Sequence, residues 1–262
     1  MAIKMQAARF ELKYIINEEK MKGIRRYLKG RLTIDEHDDP DNPQGYTVCS
    51  LYCDSPTFKL YDQTFQGHKN RFKLRIRFYD NNPNGPAFLE IKRRETDIIR
   101  KKRTAVTKRG ALQILKGAYP SPSMLYPKGG NLDALNRFCN LARSLDARGA
   151  AYIVYTREAY VSPDSDHVRV TFDRDLYGGF YYPGEELYCP ADGVRPTVGG
   201  IVLELKFTDR FPTWMHELVQ IFQLERTSVP KYCLCVESME LLRTGLPTRP
   251  STAIQMRAAK AI

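Results

Sequence analysis

Phe72-Lys73-Leu74-Arg75-Ile76-Arg77-Phe78-Tyr79 alternates with a period of two. In a strand, Phe72, Leu74, Ile76 and Phe78 share one face, and Lys73, Arg75, Arg77 and Tyr79 share the other. Like charges two residues apart on one face repel by about 3 kcal/mol at ~5 Å and an effective dielectric near ~20. Three cations in line therefore suggest an anion held on that face, and a solvated outer surface is an equal reading of this strand taken alone.

The same design recurs along the chain. Arg9-Phe10-Glu11-Leu12-Lys13-Tyr14, Leu89-Glu90-Ile91-Lys92 and Val202-Leu203-Glu204-Leu205-Lys206-Phe207 each place an acid and a lysine on one face with apolar residues behind them. In the strand predicted over 98–107, Lys101 and Arg103 share a face. Over 151–161 Ile153, Tyr155 and Arg157 do so, and over 168–173 Arg169, Thr171 and Asp173. The run Asn81-Asn82-Pro83-Asn84-Gly85-Pro86 is a turn that folds the basic strand against its successor as a hairpin.

Between the strands, helical spacing predicts a helix capped by Asn17 and running to Leu32, and others over 110–116 and 132–145. A further helix is opened by Pro212 and runs to about Glu225, with Trp214, Leu218, Ile221 and Phe222 facing the core. The segment 35–45 is an acidic loop. Residues 228–237 are expected to form a last strand bearing Lys231, followed by a short helix over 237–243. One domain is expected over 1–245, with a loosely held tail over 246–262.

With 41 Lys and Arg against 30 Asp and Glu, the 262-residue chain carries a net charge of +11, which favours polyanionic partners. A nucleic-acid binder would explain that charge but not the acids set within the strands, so no nucleic acid is expected. The six cysteines show no paired CxxC spacing, which argues against zinc and for free thiols in a reducing cytoplasm. There is no 18-residue apolar run and no signal-peptide core, so no transmembrane segment is expected. An open sheet with these faces would need more cover than the few short helices provide. The economical fold is α+β: a closed antiparallel eight-stranded β-barrel, apolar faces outward under helices and charged faces lining the lumen.

Eight short motifs in order resemble the VTC domain, the polyphosphate polymerase branch of the CYTH-like triphosphate tunnel metalloenzymes. They are Arg9–Tyr14, Ser50–Ser55, Lys73–Tyr79, Leu89–Lys92, Tyr155–Arg157, Arg169–Asp173, Leu203–Lys206 and Pro230–Tyr232. The resemblance spans about residues 9–237. It implies a tunnel barrel that transfers the γ-phosphate of ATP to a growing inorganic polyphosphate chain, started on phosphate or pyrophosphate, with Mn2+ or Mg2+. By position, Lys13, Arg75, Arg77, Lys92, Arg157, Arg169, Lys206 and Lys231 are implied to hold phosphates. Lys73, Lys101, Arg103, Tyr155 and Ser228 are implied as further substrate contacts. Glu204 is implied as the metal carboxylate, supported by Glu11 and Glu90. Relatives that carry a membrane anchor imply that polymer export would need a membrane partner. Arg9 stands where CYTH-type first strands carry a further acid, which favours transfer over plain triphosphatase or polyphosphatase chemistry. A non-catalytic polyphosphate-binding module is the remaining alternative.

Overall fold

The computed structural model describes residues 9–35, 45–96, 98–163 and 165–244. Most of the acidic loop and the expected tail over 246–262 lie outside them. Nine strands form one antiparallel sheet: β1 (Arg9–Ile16), β2 (Thr33–Ile34), β3 (Tyr46–Asp54), β4 (Asn70–Phe78), β5 (Pro86–Glu95), β6 (Ile98–Thr107), β7 (Arg148–Ser162), β8 (Ser165–Phe180) and β9 (Ile201–Thr208). Six helices accompany them: α1 (Glu18–Leu28), α2 (Lys59–Phe65), α3 (Lys108–Leu115), α4 (Leu132–Ser144), α5 (Thr213–Ile221) and α6 (Lys231–Thr244).

The strand order is β2-β7-β3-β4-β5-β6-β1-β9-β8, with an additional pairing of β7 to β8. Among the described residues the β1–β6 register is a single residue pair, Arg9 with Ile99, whereas β1 pairs β9 from Arg9 to Ile16. Among the same described residues the sheet is antiparallel and nine-stranded, β7–β8 pairing joins its two ends, and the β1–β6 contact supplies no hydrogen-bonded ladder to complete the expected eight-stranded barrel. Side chains bridge across intervening strands, one of them over this seam. Lys92 on β5 donates to Glu11 on β1 at 2.8 Å, reaching past β6, and Arg77 on β4 reaches past β3 to the Tyr155 hydroxyl on β7 at 3.2 Å.

Strand parity puts the apolar rows outward, as the alternation requires. Leu74, Ile76 and Phe78 join Leu89, Ile91 and Val106 beneath α3 and α4, packed on Ala111, Ile114, Leu135 and Phe138. Tyr14, Leu203, Leu205 and Phe172 pack under α1 and α5 through Met21, Ile24, Leu28, Met215 and Leu218. Both helices are shorter than the spacing predicts. Asn17 does cap α1, accepting from the Lys20 amide at 2.8 Å, but α1 stops at Leu28, just before Gly30 with its φ of +81°. Ile221, expected in the core, is exposed, and Met215 fills the face instead.

The expected last strand is corrected to a helix. α6 begins at Lys231 and packs on the charged side of the sheet, where Tyr232, Cys233, Cys235, Val236 and Met239 meet Val48, Tyr52, Ile153 and Tyr155. Apolar residues lie on every side of its first turns, a pattern that fits a buried helix as well as a buried strand.

Asp54 ties α6 to the sheet. Its buried carboxylate accepts from the Leu60 and Tyr61 amides at the start of α2, both at 2.8 Å, and from the Tyr232 hydroxyl on α6 at 3.0 Å. Replacing Asp54 by Ala leaves those donors buried without an acceptor, at about 1–3 kcal/mol for such a group. A urea unfolding midpoint for Asp54→Ala lowered to that extent is expected, and an unchanged midpoint would show the cap to be dispensable.

Candidate active site

One carboxylate organises the inner face. Glu204 on β9 is 4% exposed. Its Oε1 lies 3.1 Å from Lys13 Nζ and 2.9 Å from Lys231 Nζ, and its Oε2 lies 2.6 Å from Lys206 Nζ and 3.1 Å from Arg157 Nη2. These four cations come from β1, α6, β9 and β7. Register explains two of the contacts, since Lys13 sits directly opposite Glu204 and Lys206 follows it on the same face. Lys231 arrives from the helix, where an ammonium in the first turn opposes the helix dipole. The acids Asp173, at 2.6 Å, and Glu204 hold it there.

Asp173 is the residue that motif reading missed. It is 2% exposed and takes Arg157 as a two-pronged partner, Nε to Oδ1 at 2.6 Å and Nη2 to Oδ2 at 2.7 Å. Its signal lay in parity, because it shares a face with Arg169 and Thr171. Tyr52 and Ser50 were missed likewise. Tyr52 accepts from Arg75 at 3.2 Å and Ser50 from Arg77 at 3.1 Å, each directly opposite its partner across the β3–β4 register.

A second group surrounds Glu90, whose side chain is fully buried. Arg75 Nε reaches Oε2 at 2.7 Å, Lys101 Nζ reaches Oε1 at 2.6 Å, and Arg103 Nε lies 3.6 Å from the same oxygen. Arg75, Glu90 and Arg103 form one cross-strand row, and Lys73, Lys92 and Lys101 form the next. Three lysines directly opposite one another is a pairing that strands ordinarily avoid. Glu11 offsets it in part, bonding Lys92 at 2.8 Å and Lys13 at 3.2 Å. Arg169 lies farther along β8, held by Asp35 at 2.6 Å and the Tyr46 hydroxyl at 3.1 Å. Ser228 is exposed in the loop before α6, on a segment that joins β1 through the Thr227 amide and the Lys13 carbonyl at 2.8 Å. Tyr155 is buried, with Lys231 5.0 Å and Arg157 5.2 Å from its ring centre.

The charges set one another's ionisation. Burial opposes the Glu204 carboxylate, but Lys13, Lys206, Lys231 and Arg157 together hold it well below the ordinary range. Burial likewise works against the ionised Glu90 and Glu11, and it is outweighed by Arg75, Arg77 and Lys101 together for Glu90 and by Lys92, Lys13 and Lys206 together for Glu11. Lys206 is lowered too, which for a lysine favours the neutral form. Burial, the largest effect, and the neighbouring Arg157 push it down to about 8 despite Glu204, because burial penalises the ammonium more than that carboxylate favours it. Lys13, with both Glu204 and Glu11 beside it, is raised in spite of burial. Burial raises the Tyr52 hydroxyl, but Arg75, Lys73 and Arg77 outweigh it and bring it down to about 8.

Magnesium-like ions are commonly held by one or two carboxylates plus substrate phosphates, not by an all-protein cage. Among the described residues no three His, Cys, Asp or Glu side chains gather as a cage. Glu204 and Glu11 feel each other's charge and share Lys13, a donor pair that fits an ion completed by phosphate oxygens. Glu90 belongs to the separate group enclosed by Arg75 and Lys101.

The VTC domain family model matches residues 8–240. The chain belongs to the VTC domain family. None of the curated proteins matches it. Solved structures with some likeness include a candidate adenylate cyclase of Bacillus halodurans, at 14% identity and a TM-score of 0.48 over 85% of this chain and 94% of that one. A candidate adenylyl cyclase of Hippeastrum with dominant triphosphatase activity shares 12% identity at a TM-score of 0.46, over 92% and 98%. The mimivirus capping enzyme triphosphatase shares 11% at 0.34, over 82% and 89%. No helix among the described residues of this VTC domain is long and apolar enough to cross a membrane.

Removing the Glu90 charge isolates Arg75 in a buried setting. Breaking a buried ion pair costs roughly 3–5 kcal/mol, and the low end applies here because Lys101 and Arg103 stay partly solvated. Glu90→Gln is expected to lower stability by about 3 kcal/mol in urea titrations. Added tripolyphosphate is expected to restore part of that loss by supplying anionic oxygens. Equal stability of the variant and the parent would refute the assignment of Glu90 as a counter-ion.

Proposed function

We propose that this VTC domain is a metal-dependent polyphosphate polymerase, passing the γ-phosphate of ATP to a growing inorganic chain within a tunnel formed by the inner face of the sheet. The observation that carries this reading is the convergence of Lys13, Arg157, Lys206 and Lys231, from four separate elements, on the single buried carboxylate of Glu204. The finer statement of the fold, a wall curled into a tunnel, is supported by the side chains that bridge across intervening strands, Lys92 to Glu11 and Arg77 to Tyr155.

Phosphoryl transfer is governed by positioning and by neutralising charge on the equatorial oxygens, so no covalent nucleophile is required. Lys13, Lys206, Lys231 and Arg157 already sit around one anionic group, and a phosphate is the natural competitor for the same donors. Arg157 stays charged through any working pH because Asp173 and Glu204, with the Tyr155 ring, outweigh its burial. Arg75 and Arg77 extend the cationic wall, kept in orientation by Glu90, Tyr52, Ser50 and Tyr155. Lys73, Lys92 and Lys101 continue it toward the far end of the strands. Glu204, with Glu11 beside it, would hold a divalent ion, which supplies charge neutralisation across the triphosphate oxygens when bound. The end of the polyphosphate chain then attacks the γ-phosphorus in line and ADP leaves. A hydrolase on the same scaffold is the second reading, favoured only if water reaches the γ-phosphorus in place of the chain end.

Incubation with ATP and manganese separates these readings. Long acid-labile polymer is expected, and orthophosphate alone would overturn the polymerase assignment. Glu204→Gln should abolish metal-dependent turnover while sparing polyphosphate binding, because the cations remain.

The titration of Lys206 gives a separate check. Its ammonium binds phosphate only when protonated, and its value near 8 means that protonation is lost as pH rises through that point. The alkaline limb of kcat/KM should therefore fall near pH 8 and shift to higher pH in Lys206→Arg, whose guanidinium stays charged. An unmoved limb would exclude Lys206 as the titrating group.

A further inference from the structure

The inner face is chemically polar along its length. On β4, β5 and β6 the row Lys73, Lys92, Lys101 lies at one end, the row Arg75, Glu90, Arg103 follows, and Arg77 then faces Phe88. Four residues separate the lysine row from Phe88 along β5, about 13 Å at the rise of a strand. Beyond Arg77 the charge gives way to rings. Tyr79 lies edge-on to Phe88 at 6.0 Å and to Tyr46 at 5.9 Å, and the Arg103 guanidinium stands 3.6 Å from the centre of the Phe88 ring. Tyr46 in turn accepts from Arg169 on β8. The result is a continuous collar of contacts, Arg103–Phe88–Tyr79–Tyr46–Arg169, built from β6, β5, the residue after β4, β3 and β8.

Tyr46 and Tyr79 pack against the cluster that includes α6. Tyr46, Tyr79 and Phe88 are each only partly buried, and Arg103 is exposed. An exposed arginine over a partly buried phenylalanine ring, beside two tyrosines, is a surface suited to a planar heterocycle. A phosphate chain has no ring to offer such a surface.

We propose that the collar is a nucleobase-binding site, resting on the reading of the inner face as a nucleoside triphosphate site. It takes the base of the incoming nucleotide against Phe88 and Tyr79, leaves the triphosphate directed toward Arg77, Arg75 and Glu204, and so assigns polymer departure to the Lys73, Lys92 and Lys101 end. The collar thereby sets a preference for nucleotides over inorganic triphosphate.

The test compares ATP with inorganic tripolyphosphate, which carries the same anionic chain without a base. For the unmodified protein, calorimetric affinity for ATP should exceed that for tripolyphosphate. Tyr79→Leu and Phe88→Leu should each weaken ATP about 10-fold, as loss of one stacking contact implies, and change tripolyphosphate affinity less than about 2-fold. Phe88→Tyr and Tyr79→Phe keep a ring and should keep the ATP preference. Equal losses for both ligands, or no preference for ATP in the parent, would make the collar a structural clasp and overturn the proposal. Because the readout is binding, it stands apart from the polymerase assay. Absence of polymer with a base-dependent affinity would sink only the assigned reaction, and polymer formation with base-independent affinity would sink only the collar.

Discussion

A buried carboxylate shared among four cations is the constraint on which the rest of this molecule depends. Removing a charge from water costs several kcal/mol, and it is tolerated only where partners surround it closely. Glu204 meets that condition because β1, β7, β9 and the first turn of α6 all deliver a cation to it. The cluster also binds those elements together. β1 and β9 are already paired by backbone, but α6 is drawn to the sheet's charged side by Lys231, which reaches Glu204 and Asp173.

The same economy explains how the inner face can be so basic and still fold. Acids are placed where cations are densest: Glu90 beneath Arg75 and Lys101, Glu11 between Lys13 and Lys92, Asp173 against Arg157. They hold the cations in fixed directions without cancelling them, so the surface stays positive and is organised before any ligand arrives. That preorganisation is what electrostatic stabilisation of a phosphoryl group requires. Glu204 and Lys206 are both lowered, since the surrounding cations favour the carboxylate while burial and Arg157 disfavour the ammonium.

Outside the charged face the packing is ordinary, and it has to be. Two apolar clusters under α1 with α5, and under α3 with α4, cover the reverse side of the strands. Their burial offsets the cost of gathering charge on the other side. Where the backbone ladder is thinnest, between β1 and β6, the Lys92–Glu11 bond crosses the gap. Site and wall are thus partly the same interactions.

The alternation of Lys73, Arg75 and Arg77 with Leu74, Ile76 and Phe78 determined by itself which side chains face inward and which face the helices, because strand parity leaves no third choice. Glu11, Lys13, Glu90, Lys92, Arg157, Glu204 and Lys206 were legible for the same reason. Asp173 was visible on its face but not its importance, since only the β7–β8 register sets it opposite Arg157. Tertiary structure alone decided that Lys231 rides on a helix instead of a strand, because a segment apolar all round suits either and only the available space on the sheet chooses. It also decided the narrow β1–β6 seam and the meeting of Tyr46, Tyr79, Phe88 and Arg103. Such contacts depend on the stagger of strands distant in sequence, which no local pattern encodes.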